Sequence, residues 1–112
     1  MENFQAHARS TVAKYKEVFV ELKRATQFTE ERDFDARDRI VGRIESLLSG
    51  LEDTTIGRGL VKQIYGDYVF PFKRVYSILE KIRKNDINFV QTYIEIRDLS
   101  KSTPDLSRES LV

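Results

Sequence analysis

Apolar residues in this chain recur at threes and fours, which is the spacing of one helix face after another. Phe4, Ala8, Thr11, Val12, Tyr15, Val18, Phe19, Leu22 and Ala25 line one side of a first helix predicted from about Phe4 to Phe28. Lys14, Lys16, Glu17, Glu21, Lys23 and Arg24 cover its other side. A polar connection, Thr29–Asp35, offers Asp33 or Asp35 as the cap of a second helix. That helix starts at Phe34 or Ala36, runs to Ser49, and turns Ile40, Ile44, Leu47 and Leu48 toward the core. Gly50 predicts a left-handed stop with Leu51 folded back as its apolar contact, so the first two helices form an antiparallel hairpin.

After a second connection at Glu52–Gly59, where Thr54 or Thr55 is the cap, the pattern becomes densest. Between Gly59 and Lys84 the residues Leu60, Val61, Ile64, Tyr65, Tyr68, Val69, Phe72, Val75, Tyr76, Leu79 and Ile82 keep helical spacing. Pro71 interrupts this run, because proline removes a backbone bond, clashes with the carbonyl of Asp67 and pushes Phe70 from helical angles. The apolar period nevertheless crosses the proline without a change of phase, which favours one long kinked helix over two. Asp86 is the expected cap of a last helix from Ile87 to about Ser100. Its face is Ile87, Val90, Tyr93, Ile94 and Arg97, flanked by Phe89, Ile96 and Leu99. The expected fold is all-α, an antiparallel four-helix bundle with a long, Pro-kinked third helix. Residues 1–100 form this domain. Residues 101–112 form a polar tail, flexible or carrying one short helix at Thr103–Pro104–Asp105.

Composition narrows the classes. The 112 residues suit one domain, and 40% hydrophobic with 33% charged residues is a globular balance. A net charge of +1 argues against a general polyanion binder, and the absence of cysteine removes disulfide and thiolate chemistry. No apolar run reaches the roughly 18 residues of a membrane span, and the N-terminus lacks a signal-peptide core, so a cytoplasmic domain is expected. The charge is unevenly placed. Residues 58–84 carry seven basic residues against Asp67 and Glu80, a net of +5, whereas residues 28–55 carry eight acids against four arginines, a net of −4.

Candidate chemistry adds little. His7 is the single histidine and has no zinc or di-iron spacing around it, and no strained turn exposes Ser10 as a nucleophile. The acids Glu30, Glu31, Asp33, Asp35 and Asp38 lack the glycine and the closing glutamate of a calcium loop, and Arg32, Arg37 and Arg39 neutralise them. The C-terminal Ser110–Leu111–Val112 has the form that PDZ-type domains accept, a short pattern common by chance. Neither a catalytic set, a cofactor site nor a metal site is expected. The five tyrosines and seven phenylalanines are more informative. A tyrosine on an apolar stripe needs water or a partner for its hydroxyl, so Tyr65, Tyr68 and Tyr76 are expected at the edge of the core, where they border a groove.

The order of elements resembles the flagellin-specific export chaperones of the FliS type. Tyr15 falls in the motif of their first helix, and Ile40, Ile44, Leu47 and Leu51 fall on the apolar comb of their second. Ile64–Tyr65 answers their Leu-Tyr pair, Asn85–Asp86 their last turn, and Arg97–Asp98 their closing motif. Lys14 replaces an apolar residue of that pattern, Ser100 a tryptophan, and Pro71 an uninterrupted helix. The resemblance implies a bundle that cradles an unfolded or helical export substrate.

These patterns predict a non-enzymatic, adaptor- or chaperone-like protein-binding bundle. A helix or extended segment of a partner, or a second copy, would lie on the third-helix face of Tyr65, Tyr68, Phe72, Lys73, Arg74 and Tyr76. The alternative is a nucleic-acid-associated subunit that uses Lys62, Lys81, Arg83 and Lys84.

Overall fold

Helix α1 (Phe4–Glu30) sets the long dimension of the molecule. In the computed structural model, which describes residues 4–104, the principal extents are 48 × 23 × 20 Å. A helix of this length spans about 40 Å by itself. Four shorter helices follow: α2 (Phe34–Asp53), α3 (Thr55–Tyr65), α4 (Phe72–Arg83) and α5 (Phe89–Lys101). All four pack on α1, while α3, α4 and α5 touch one another little. No strand occurs among the described residues.

The buried stripe of α1 explains its central place. Ala8, Thr11, Val12, Tyr15, Val18, Phe19, Leu22, Ala25, Thr26 and Thr29 are all buried, a band wide enough to meet neighbours on two sides. The threonines fit there because each hydroxyl donates to the carbonyl one turn back: Thr11 to His7, Thr26 to Leu22 and Thr29 to Ala25, at 2.7–3.0 Å. Phe4, expected on this stripe, is exposed, as is His7. Glu21, expected on the solvated side, is buried beneath Arg24 at 3.1 Å and Arg43 at 3.8 Å.

Asp33 caps α2 by accepting from the Ala36 N–H at 3.2 Å, and Arg43 reaches Glu17 at 2.7 Å, closing the α1–α2 hairpin. The expected stop at Gly50 does not occur. Leu51 continues the period of Val41, Ile44 and Leu48 and is fully buried, so the helix carries on to Asp53. The connection expected over 52–59 shrinks to Thr54. Its hydroxyl turns back to the Gly50 carbonyl at 2.8 Å, and it gives α3 no side-chain cap. Gly57 allows this tight junction. A Cβ there would lie 2.5 Å from Thr11 Oγ1 and 2.3 Å from Thr54 Cγ2.

The long third helix expected across Pro71 is two helices. Gly66 adopts φ +100° at the end of α3, and residues 67–71 run without helical bonds until α4 begins at Phe72. In this segment Val69 points to solvent at 73% exposed, whereas Phe70 is 3% exposed. Phe70 is driven in among Tyr15, Phe19 and Phe72, with ring centroids 4.6, 5.5 and 4.8 Å away. The break avoids two penalties of a continuous helix, at Phe70–Pro71 and at Gly66, and the helical bonds it gives up are offset by burial of one aromatic ring.

Helix α4 buries Val75, Ile78, Leu79 and Ile82. It ends in a Schellman turn, with Asn85 at φ +55°, its N–H bonded to the Ile82 carbonyl, and the Asp86 N–H bonded to the Lys81 carbonyl. The Arg37 guanidinium braces this turn, donating to Asn85 Oδ1 at 2.7 Å and to the Ile82 carbonyl at 3.4 Å. Asn88 rather than Asp86 caps the last helix, accepting from the Gln91 N–H at 3.1 Å. Helix α5 is also rotated from the expected face. Thr92, Ile96 and Leu99 enter the core, leaving Val90 at 68% and Ile94 at 43% exposed. The tail beyond Pro104, with the Asp105 end of the expected short helix and the Ser110–Leu111–Val112 pattern, lies outside the described residues.

Candidate functional site

The rotation of α5 opens a groove. Ile96 reaches inward, so Ile94 and Arg97 flank the seam with α1, which contributes Phe19, Val20 and Lys23. The cavity along this seam has a volume of about 430 Å³, within the size range of ligand clefts. Its floor is apolar, and Val20 is 57% exposed at its edge. Lys23, Arg97 and Lys101 stand around it, and among the described residues no carboxylate belongs to the lining. Arg97 leans on Asp98 at 3.3 Å, outside the lining. Tyr93 closes one end by donating to Glu30 at 2.9 Å. Burial first, then that bond and the nearby Glu31, push the Tyr93 hydroxyl up to about 12, which keeps it a donor.

A second cavity of about 300 Å³ lies beside α3. Thr55, Arg58, Gly59 and Lys62, spaced at threes and fours, turn one face of α3 toward it, and Tyr15, Tyr68, Phe70 and Phe72 supply aromatic walls. The Arg58 guanidinium lies 5.6 Å over the Phe72 ring and donates from Nη2 to the Glu52 carbonyl at 3.0 Å. Its Nε is enclosed without an acceptor. The Tyr68 hydroxyl is also enclosed, and burial raises it from its ordinary value. It lies beside Thr103, whose own proton goes to the Leu99 carbonyl at 3.3 Å, and no well-formed hydrogen bond reaches the tyrosine oxygen.

The expected six-residue docking face is divided by the break at 66–71. Tyr65, Tyr68 and Phe72 are half-buried and pack against the core, Tyr68 and Phe72 by way of the α3 cavity. Lys73 is exposed, Arg74 pairs with Glu95 at 3.2 Å, and Tyr76, 41% exposed, donates to Glu52 at 2.6 Å. That bond, followed by burial, pushes the Tyr76 hydroxyl up to about 12. The alternative basic set is divided too. Lys62 borders the α3 cavity and Lys81 is exposed on α4, while Arg83 pairs with Glu45 and Lys84 with Glu80.

Sequence reasoning missed Val20, Lys23, Lys101, Arg58 and Phe70 as site-forming residues. Val20 carries a signal, because it is a β-branched apolar residue on the otherwise charged side of the first helix. Phe70 carries another, since Tyr68, Phe70 and Phe72 alternate around Val69 and Pro71 with the period of extended chain. Among the described residues no group of three His, Asp or Glu side chains is placed to hold a metal ion. Nor is any helix there long and apolar enough to cross a membrane. No protein-family model, no curated protein and no solved structure matches the chain.

Proposed function

We propose that this chain is a non-enzymatic helical bundle, adaptor- or chaperone-like and cytoplasmic, that binds an acidic amphipathic segment of a partner protein in the α1–α5 groove. The observation that carries the reading is the pairing of exposed Val20 and Ile94 over an apolar floor with a rim of Lys23, Arg97 and Lys101. Apolar area supplies affinity in such a groove, and one-signed charge selects and orients the segment. The third-helix face, whose Tyr65 and Tyr68 pack against the core, contributes less to this reading. The nucleic-acid alternative also draws less support, because carboxylates already occupy Arg83 and Lys84.

The test uses two labelled amphipathic peptides with the same apolar face, one flanked by glutamates and one by lysines. Fluorescence anisotropy should show binding of the acidic peptide only. The change Ile94→Glu should weaken it at least tenfold while leaving circular dichroism unchanged. Equal binding of both peptides, or none of the acidic one, overturns the proposal. Light scattering that shows a stable dimer abolished by Ile94→Glu would put a second copy in the groove instead.

A further inference from the structure

Arg58 lines the α3 cavity, and among the described residues no carboxylate pairs with it. Among the described residues its acceptor is the backbone carbonyl of Glu52, and its Nε is enclosed without an acceptor. Buried cationic donors are ordinarily satisfied, and one that is not calls for an explanation. The Tyr68 hydroxyl, beside Thr103, is likewise enclosed and makes no well-formed hydrogen bond. Arg58 and Lys62 place two cations in the lining, and among the described residues no acidic side chain contributes to it. The walls are rings held in place by one another: Tyr15 is stacked on Phe70 at 4.6 Å, and Phe72 stands edge-on to Phe70 at 4.8 Å. Cations and aromatic rings in one lining describe a ligand with an anionic head and an apolar body.

We propose that this cavity binds an aryl or alkyl carboxylate, with the carboxylate on Arg58 and the apolar body against Phe70 and Phe72. The site is separate from the α1–α5 groove and does not depend on the function proposed for it. The same chemistry is presented by a small carboxylic acid and by the C-terminal carboxylate of a peptide ending in an apolar residue.

The experiment is an amide-resolved NMR titration of the whole chain with 3-phenylpropanoate, with its neutral amide, and with a hexapeptide ending in phenylalanine as free acid or C-terminal amide. The carboxylates should shift resonances of α3 and residues 66–72, and each amide should bind at least tenfold more weakly. Arg58→Gln should lose at least tenfold in affinity, and Arg39→Gln, at an exposed position on α2, should lose nothing. Should Arg58→Gln fold poorly, Lys62→Gln, at an exposed position, should still cost several-fold. Tighter binding of the peptide acid than of 3-phenylpropanoate would support the site and assign it to peptide termini. The reverse order would support it and assign it to small acids. Equal binding of acids and amides, shifts that map elsewhere, or no effect of either substitution would sink the proposal.

Discussion

The Tyr15 and Phe70 rings stack with centroids 4.6 Å apart and planes inclined by 17°, which joins the middle of α1 to a segment with no helical bonds of its own. Residues 66–71 are held by what that ring buries. Phe70→Ala should therefore cost about 3–5 kcal/mol, read as a lower urea midpoint. Loss of order should be greatest around residues 66–71. A cost near that of a surface substitution would show the segment to be held by other contacts.

The two glycines of α3 separate backbone propensity from close approach. A Cβ at Gly57 would meet Thr11 and Thr54, both short and branched, so Gly57→Ala should destabilise by about 1–3 kcal/mol. A Cβ at Gly59 meets nothing within 4 Å, so Gly59→Ala should stabilise by up to about 1 kcal/mol through helix propensity. Thermal melts of the two variants should move in opposite directions.

Tyr68 and Tyr76, grouped by sequence, should part in experiment. Tyr68→Ala removes a half-buried ring 5.6 Å from Tyr15 and should cost about 2–4 kcal/mol, whereas Tyr76→Ala, at an exposed position, should cost about 1 kcal/mol or less. Tyr68→Phe removes only an enclosed hydroxyl without a partner, and should leave stability unchanged or raised by up to about 1 kcal/mol. Chemical denaturation of the three variants gives the comparison.

Alkaline pH should unfold the protein earlier than its net charge suggests. Burial first, and then neighbouring Tyr68, push the Tyr15 hydroxyl up to about 12, while Arg58 acts in the opposite sense. A phenol whose value is higher folded than unfolded contributes stability that is intact below about 10. That contribution is lost as pH rises from about 10 to 12, on the order of 2–3 kcal/mol for Tyr15. Urea midpoints measured from pH 9 to 12 should fall across this window. Tyr15→Phe should flatten the fall, and an unchanged slope in that variant would refute the assignment.

Legibility in the sequence followed the strength of the local pattern. The α1 stripe is readable because nine positions repeat one spacing, and burial agrees at all of them but Phe4. The split at 66–71 is not readable from the same rule, because apolar residues at helical spacing there also satisfy extended alternation at Tyr68, Phe70 and Phe72. Tertiary contact with Tyr15 and Phe19 decides between the two periods, and no local window contains those residues. The face of α5 was misassigned for a related reason. Thr92 is buried and Val90 exposed, an inversion of hydropathy set by where α1 lies rather than by the helix itself. The groove followed from that inversion, and so escaped sequence reasoning altogether.

Because α3, α4 and α5 each rest on α1 and scarcely on one another, the molecule is wired like a hub with spokes. A spoke that detaches takes few neighbouring contacts with it, so sub-global openings should come one helix at a time, whereas loss of the hub is global unfolding. α5, tied to α1 at Tyr93–Glu30 and to α4 at Arg74–Glu95, should therefore open without dismantling the α1–α2 hairpin. On this wiring the width of the α1–α5 seam should vary more readily than that of the α1–α2 hairpin.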